Sequence, residues 1–357
     1  MNVVGIIGLP LSGKSIIFDA IAAGHEARSH DPIRPRVVTV KVPDQRMEWL
    51  REHFERKKFT LDSIEFLDFA GLFDTSPHAP RDSRVFAEVR DCDALMIVLR
   101  GFPDENLPHP EGSIDPPRDL RFIEDEMLLA DLDMAERRIE KLKVKVTKPT
   151  PAQKQDKIEL AILERCRDAI NEEKPIKTVE QNADEEKAIR GFRFLTAKDA
   201  VVLINIGDEQ ETHGFWREAI AEKYAQVLFV RGRIESEIAE LDEADRAEFL
   251  ADIGMEESAR DRLIHASLRA LQRGNFFTIG DDELKAWPLK PGDTALDCAG
   301  TIHTDFARGF IRAEVVPFHD LKECGSMKEA KAQGKMHVQG KDYKVQDGDI
   351  LYIRFSV

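Results

Sequence analysis

Apolar residues in this chain form short unbroken runs through most of its length and alternate with polar ones towards its end. Residues 3–7, VVGII, are a β-branched run that stops at a glycine-rich turn. SIIFDAIAAG then repeats its apolar positions at helical spacing, with Gly24 as the expected C-cap. Further runs are DSIEFLDF (62–69), ALMIVLR (94–100), AVVLINI (200–206) and AQVLFVRG (225–232). They are mostly too continuous for half-exposed strands, and the helical stretches between them predict a parallel sheet covered on both faces.

Residues 120–177 break this pattern. Leu128, Leu132, Ala135, Ile139, Leu142 and Val146 recur at spacings of 4, 3, 4, 3 and 4, which draws one apolar seam along a helix. A second helical stretch, DKIELAILERCRDAINEE, follows TKPTPAQ, so the pair predicts an antiparallel helical hairpin inserted into the α/β domain. The seam alone does not distinguish an arm packed on itself from one that docks a partner. Near the end, PGDTALDCAGTIHTDF, GFIRAEVV and DYKVQDGDILYIRFSV set glycine and aspartate turns between β-branched and aromatic runs, with Asp347-Gly348 as the expected hairpin turn. This predicts a small separate β-rich domain.

Composition narrows the class. The chain has 357 residues, 42% of them hydrophobic and 33% charged, and no apolar run reaches the roughly 18 residues that span a bilayer. The apolar start has no basic region or cleavage site, so it reads as a first strand, and the expected location is cytoplasmic, with no membrane contact. Cys92, Cys166, Cys298 and Cys324 are scattered without a paired spacing, which predicts four buried thiols rather than a zinc site or disulfides. A net charge of −15 argues against a nucleic-acid surface over the whole chain. The stretch after Asp281 is nearly balanced in charge and is the part least repelled by RNA.

The candidate chemistry lies at the N-terminus. Gly8, Leu9, Pro10, Leu11, Ser12, Gly13, Lys14 and Ser15 fit G-x-x-x-x-G-K-[ST], with a strand before and a helix after. Glycines there let backbone N–H groups turn towards phosphate oxygens, and the helix start adds its positive end. Lys14 would reach the β and γ phosphates, and Ser15 would offer its hydroxyl to Mg2+. FLDFAGL ends a buried strand with Asp68 and continues to Gly71, a D-x-x-G in which the carboxylate would hold Mg2+ through water and the glycine N–H would sense the γ-phosphate. LINIGDEQ carries Asn205 and Asp208 as N-x-x-D after an apolar strand, where a carboxylate can accept from guanine N1–H and N2–H₂. Ile206 stands where N-K-x-D has its lysine, and a turn capped by Asn and Asp has the same spacing. Gly232, after the next strand, completes the expected nucleotide-binding set.

Taken together these residues resemble the YchF / Obg-like ATPase family of TRAFAC P-loop proteins. GLPLSGKSIIFDAI is similar to that family's G-L-P-x-x-G-K-S opening, DFAGL to its D-x-A-G-L, and LADLDMAERRIEKL to the start of its helical arm. FFTIGDDELKAW, AGTIHTDFARGFIRAEVV and GKDYKVQDGDILYIRFSV resemble its TGS domain in order and spacing. The resemblance implies a P-loop NTPase G domain with a mostly parallel sheet over 1–119 and 178–274, an inserted helical hairpin arm over 120–177, and a ubiquitin-like β-grasp TGS domain over 275–357. It further implies ATP or GTP hydrolysis with Mg2+ and a ribosome or RNA contact through the TGS-like domain and the arm.

Leu72 follows Gly71 where Ras-like proteins place a water-orienting glutamine, which implies slow hydrolysis. Three positions depart from the family. Pro32 aligns with the first-switch threonine that closes on Mg2+ and the γ-phosphate. FDTSPHAPRDSRVF replaces a glycine-rich second switch. Asp208 replaces a glutamate in the base-reading motif. The sequence therefore describes a divergent paralogue and leaves two readings open, a nucleotide-dependent switch and a non-hydrolysing nucleotide-binding scaffold; a small-molecule kinase shares only the P-loop.

Overall fold

The computed structural model describes residues 2–23, 35–69, 73, 83–208, 214–241, 245 and 258–356. Contacts divide the chain into two compact units, one of Asn2–Val38 and Glu65–Ala270, the other of Thr39–Ile64 and Leu271–Val357. In chain order the elements are β1 (Asn2–Ile7), α1 (Lys14–Ala22), β2 (Arg36–Lys41), α2 (Gln45–His53), β3 (Lys58–Thr60), β4 (Ser63–Asp68), α3 (Ser83–Asp91) and β5 (Ala94–Arg100). They continue as α4 (Pro116–Lys145), α5 (Gln153–Asn171), α6 (Ala183–Ile189), β6 (Ala200–Asn205), α7 (Gly214–Ala221), β7 (Val227–Val230) and α8 (Gly232–Glu240). One sheet has the order β2-β4-β1-β5-β6-β7, and the pairs β1–β5, β5–β6 and β6–β7 are parallel. Every position of β5 is buried. That is what its unbroken apolar run requires of an inner strand with both faces covered. Gly24 lies outside the described residues, and the C-cap of α1 is Ala23.

The helical hairpin is α4 with α5. Asp115 caps α4 by accepting from Arg118 N, and prolines fill its first two positions. Leu128, Ala135, Ile139 and Leu142 are buried against Ile162, Leu163, Cys166 and Ile170, while Leu132 and Val146 are only partly buried. Ion pairs Arg138–Glu159 (2.6 Å) and Lys145–Asp156 (2.8 Å) fasten the two helices antiparallel. Ile176, Ile189 and Phe194 close the same apolar cluster. At the root of α4, the fully buried Asp131 pairs with Arg90 at 2.6 Å and accepts from Leu195 N, Thr196 N and Thr196 Oγ1. A buried carboxylate is tolerated because all of these donors converge on it.

The second unit holds β8 (Gly274–Ile279), β9 (Glu283–Leu289), β10 (Phe310–Pro317), β11 (His337–Gln339) and β12 (Asp349–Phe355) in the sheet order β11-β10-β12-β8-β9-β3. Residues 39–64 therefore group with the C-terminal segment, although they fall within the stretch that the sequence assigns to the nucleotide-binding domain. The reason is pairing. Lys58, Phe59 and Thr60 lie in parallel register with Glu283, Leu284 and Lys285, Thr60 Oγ1 donates to Glu283 at 2.7 Å, and Met47 and Leu50 of α2 are buried with Phe277, Leu284 and Ile350.

Two smaller expectations are corrected. Asp347-Gly348 is a turn, with Gly348 at φ +90°, but it joins no hairpin: β11 and β12 flank β10 on opposite sides. Cys92, Cys166 and Cys298 are buried free thiols, whereas Cys324 is half-buried. Among the described residues, no helix is long and apolar enough to cross a membrane.

Candidate functional site

β1 delivers the chain into a loop whose shape depends on its glycines. A Cβ at Gly8 would run into the Val98 carbonyl, and Gly13 has φ +89°. Leu11, half-exposed, also takes a positive φ of 63°. Ser12 N closes the turn on Leu9 O at 3.3 Å. Gly13 is the N-cap of α1 and makes no side-chain cap, so the N–H groups of the first turn are left to an acceptor from outside the helix.

Lys14 is buried and folds back on the loop, donating to Gly8 O at 3.0 Å and Leu9 O at 2.9 Å. Burial pushes its pKa down to about 8, against the opposing pull of Asp68. Asp68, at the end of β4, accepts from Ser15 Oγ at 3.1 Å. Burial raises its pKa, opposed by the Ser15 hydrogen bond and by the Lys14 and Arg36 charges.

Asp68 Oδ1 and Ser12 Oγ are buried with no hydrogen-bond partner among the described residues. Unsatisfied buried oxygens are costly, and an ion or ligand is one remedy. The residues present fit a magnesium ion beside a phosphate chain. Ser15 Oγ and Asp68, the latter through water, would hold the metal, while Ser12, Lys14 and the loop N–H groups would donate to phosphate oxygens.

Asn205 ends β6 and is buried with both ends of its amide engaged. Nδ2 donates to Ser12 O at 3.2 Å, and Oδ1 accepts from Gly232 N at 3.0 Å. Added Cβ atoms at Gly13 and at Gly232 would both meet this amide. The structure thus brings Gly13, Asn205 and Gly232 into one contact that ties the phosphate loop to the start of α8. Ile206 is buried at 4% exposure and donates its N–H to Val230 O. Asp208 is exposed, with Oδ2 4.0 Å from Arg233 Nε. Gly71, Leu72 and Pro32 lie outside the described residues. His303 caps the helix Thr304–Arg308, its Nδ1 accepting from Asp305 N, as a turn-bracing residue does.

Sequence reasoning missed Arg36. On β2, its guanidinium pairs with Asp19, lies 4.5 Å from the Phe18 ring centre, and has one nitrogen 3.7 Å from Asp68 Oδ2. No motif marks it. Its place follows only from β2 lying next to β4 in the sheet.

The YchF-GTPase C-terminal family, described as a protein of unknown function, matches residues 274–356. Over 365 residues the chain is 38% identical to the ribosome-binding ATPase YchF of Bacillus subtilis (strain 168), covering 99% of each. It is 34% identical to Obg-like ATPase 1 of Caenorhabditis elegans, covering 99% of this chain and 92% of that one. The solved structure of the Schizosaccharomyces pombe YchF GTPase matches with a TM-score of 0.85 at 29% identity, over 99% of this chain and 97% of that one. With a P-loop fold and identities that run the length of both sequences, the chain belongs to the YchF family.

Proposed function

We propose that this protein is a nucleotide-dependent molecular switch that binds ATP or GTP with Mg2+, hydrolyses it slowly and acts on the ribosome or another RNA-containing partner. The observation that carries the reading is the meeting of Lys14, Ser15 and Asp68 at the start of α1, with two buried oxygens that have no partner among the described residues. Relatives named as ribosome-binding ATPases support the partner.

In this reading the loop N–H groups and the start of α1 cradle the phosphates, and Lys14 leaves the Gly8 and Leu9 carbonyls to take phosphate oxygens. Ser15 and Asp68 hold Mg2+, which supplies positive charge against the phosphoryl oxygens when bound. Gly71 offers its N–H to the γ-phosphate. Asn205 and Gly232 brace the loop from behind, and Asp208 accepts from the base. Leu72 cannot orient a water, which keeps turnover slow. Residues 2–38, 65–119 and 178–270 form the nucleotide-binding part, and the arm 120–177 and the TGS-like segment 275–357 meet the partner.

The test is phosphate release from ATP and from GTP with Mg2+, by the wild type and by Lys14→Ala. Lys14-dependent turnover of one nucleotide establishes the activity and names the base. Binding without turnover selects the scaffold instead. Co-sedimentation with ribosomes that is indifferent to nucleotide would rule out switching.

A further inference from the structure

We propose that Arg36 is a built-in counter-cation for Asp68 that loosens the dependence of nucleotide binding on Mg2+. The proposal rests on the nucleotide-binding reading above and concerns how the metal and the nucleotide are coupled at that site.

Asp68 divides its contacts unevenly. Oδ2 faces both the Ser15 hydroxyl at 3.1 Å and the Arg36 guanidinium at 3.7 Å, while Oδ1 has no partner among the described residues. Arg36 is held in place from other directions too, by its ion pair with Asp19 and by the face of Phe18. Asp19 and Phe18 both lie on α1, the helix that begins at Lys14. The guanidinium is thus fixed between the metal-holding carboxylate and the helix whose start would receive the phosphates.

Two consequences follow from charge alone. A metal ion that takes Asp68 must share it with, or displace, a cation already beside it, so the carboxylate attracts Mg2+ less than a bare one would. When no metal is bound, Arg36 offsets the negative charge that Asp68 would otherwise present to an incoming polyphosphate. A guanidinium suits phosphate oxygens. Both effects shrink the gain in nucleotide affinity that Mg2+ provides. A neutral side chain at position 36 restores the full gain: Asp68 then repels nucleotide in the absence of metal and draws metal more strongly in its presence.

The experiment is equilibrium binding of ATP and of GTP to the full chain, once in Mg2+ and once in EDTA, reading the ratio of the two dissociation constants. Wild type, Arg36→Gln, Arg36→Lys, Asp19→Asn and Lys14→Ala are compared, with thermal melting as the check on folding. Arg36→Gln should enlarge the EDTA-to-Mg2+ ratio by about tenfold, a change of 1.4 kcal/mol in coupling. Arg36→Lys should stay near the wild type, because the charge is kept. Asp19→Asn should shrink the ratio, since Arg36 is then left to Asp68 alone; this variant carries the test if Arg36→Gln does not fold. An unchanged ratio in Arg36→Gln, or in Asp19→Asn where that variant carries the test, overturns the proposal. A wild type that binds neither nucleotide under either condition, like its Lys14→Ala control, overturns the nucleotide reading itself and the proposal with it.

Discussion

The carboxamide of Asn205 occupies the space beside Cα of Gly13, where a Cβ would collide with its Nδ2. The same amide donates to Ser12 O and accepts from Gly232 N. One side chain from β6 therefore sets the distance between the phosphate loop and the start of α8.

Gly13→Ala combines that collision with a φ of +89° and should cost about 1–3 kcal/mol in urea unfolding, together with most of the nucleotide affinity. Gly112→Ala is the matched control. Its φ is +76° but nothing stands within 4 Å of the added methyl, so only backbone strain of about 1 kcal/mol should appear.

Asn205→Ala leaves Ser12 O and Gly232 N without their partner in a buried place, at about 1–3 kcal/mol for each group left bare. Nucleotide should dissociate faster from this variant for either base, because the phosphate loop loses its brace. Loss confined to one base would instead make Asn205 a base reader.

Asp131→Ala should be among the most damaging substitutions outside the phosphate loop. It strands the Arg90 guanidinium, 8% exposed, and removes the acceptor of three further donors, so about 3–5 kcal/mol is expected from denaturant melts. Adding Arg90→Met to Asp131→Leu should recover part of that loss, since the isolated charge is then gone.

A pH-dependent contribution sits in the second unit. Thr294 and Asp297 form a capping box on the helix Ala295–Ile302, and the hydrogen bonds from the Thr294 hydroxyl and N–H hold the Asp297 carboxyl below its ordinary 3.8. A depressed carboxyl stabilises fully above its unfolded value and ceases to as pH falls through its folded one. Asp297→Ala removes the N3 half of this capping box and should lower stability at neutral pH. Wild type and variant should converge in strong acid, and thermal melts across that range decide it.

The phosphate loop was legible because its chemistry is local: Gly8 and Gly13 are needed where the backbone turns, and Lys14 and Ser15 stand beside them. The inner strands β1, β5 and β6 were legible because they are apolar almost throughout, β4 because its buried positions alternate, the edge strand β7 because it is a short apolar run, and the seam of α4 because one face repeats. Three features were not, each for want of a local signal. β3 is three residues long and draws its meaning from a partner far along the chain. Arg36 meets Asp68 only because β2 and β4 are neighbours in the sheet. Asn205 has the spacing of a base-reading residue, yet its amide is spent on Ser12 and Gly232, a use that no motif distinguishes.

The pairing of Lys58–Thr60 with Glu283–Lys285 also sets a timetable. A chain made from its N-terminus produces Thr60 long before Glu283, 223 residues later, so β3 and the buried Met47 and Leu50 wait through most of synthesis for the strands that cover them. Contacts of such separation close late and expose apolar surface meanwhile. Cutting the chain before Asn275 does not excise a tail. It makes that wait permanent for a segment threaded between β2 and β4, and the shortened protein should bind hydrophobic dyes and aggregate even though its phosphate loop is intact.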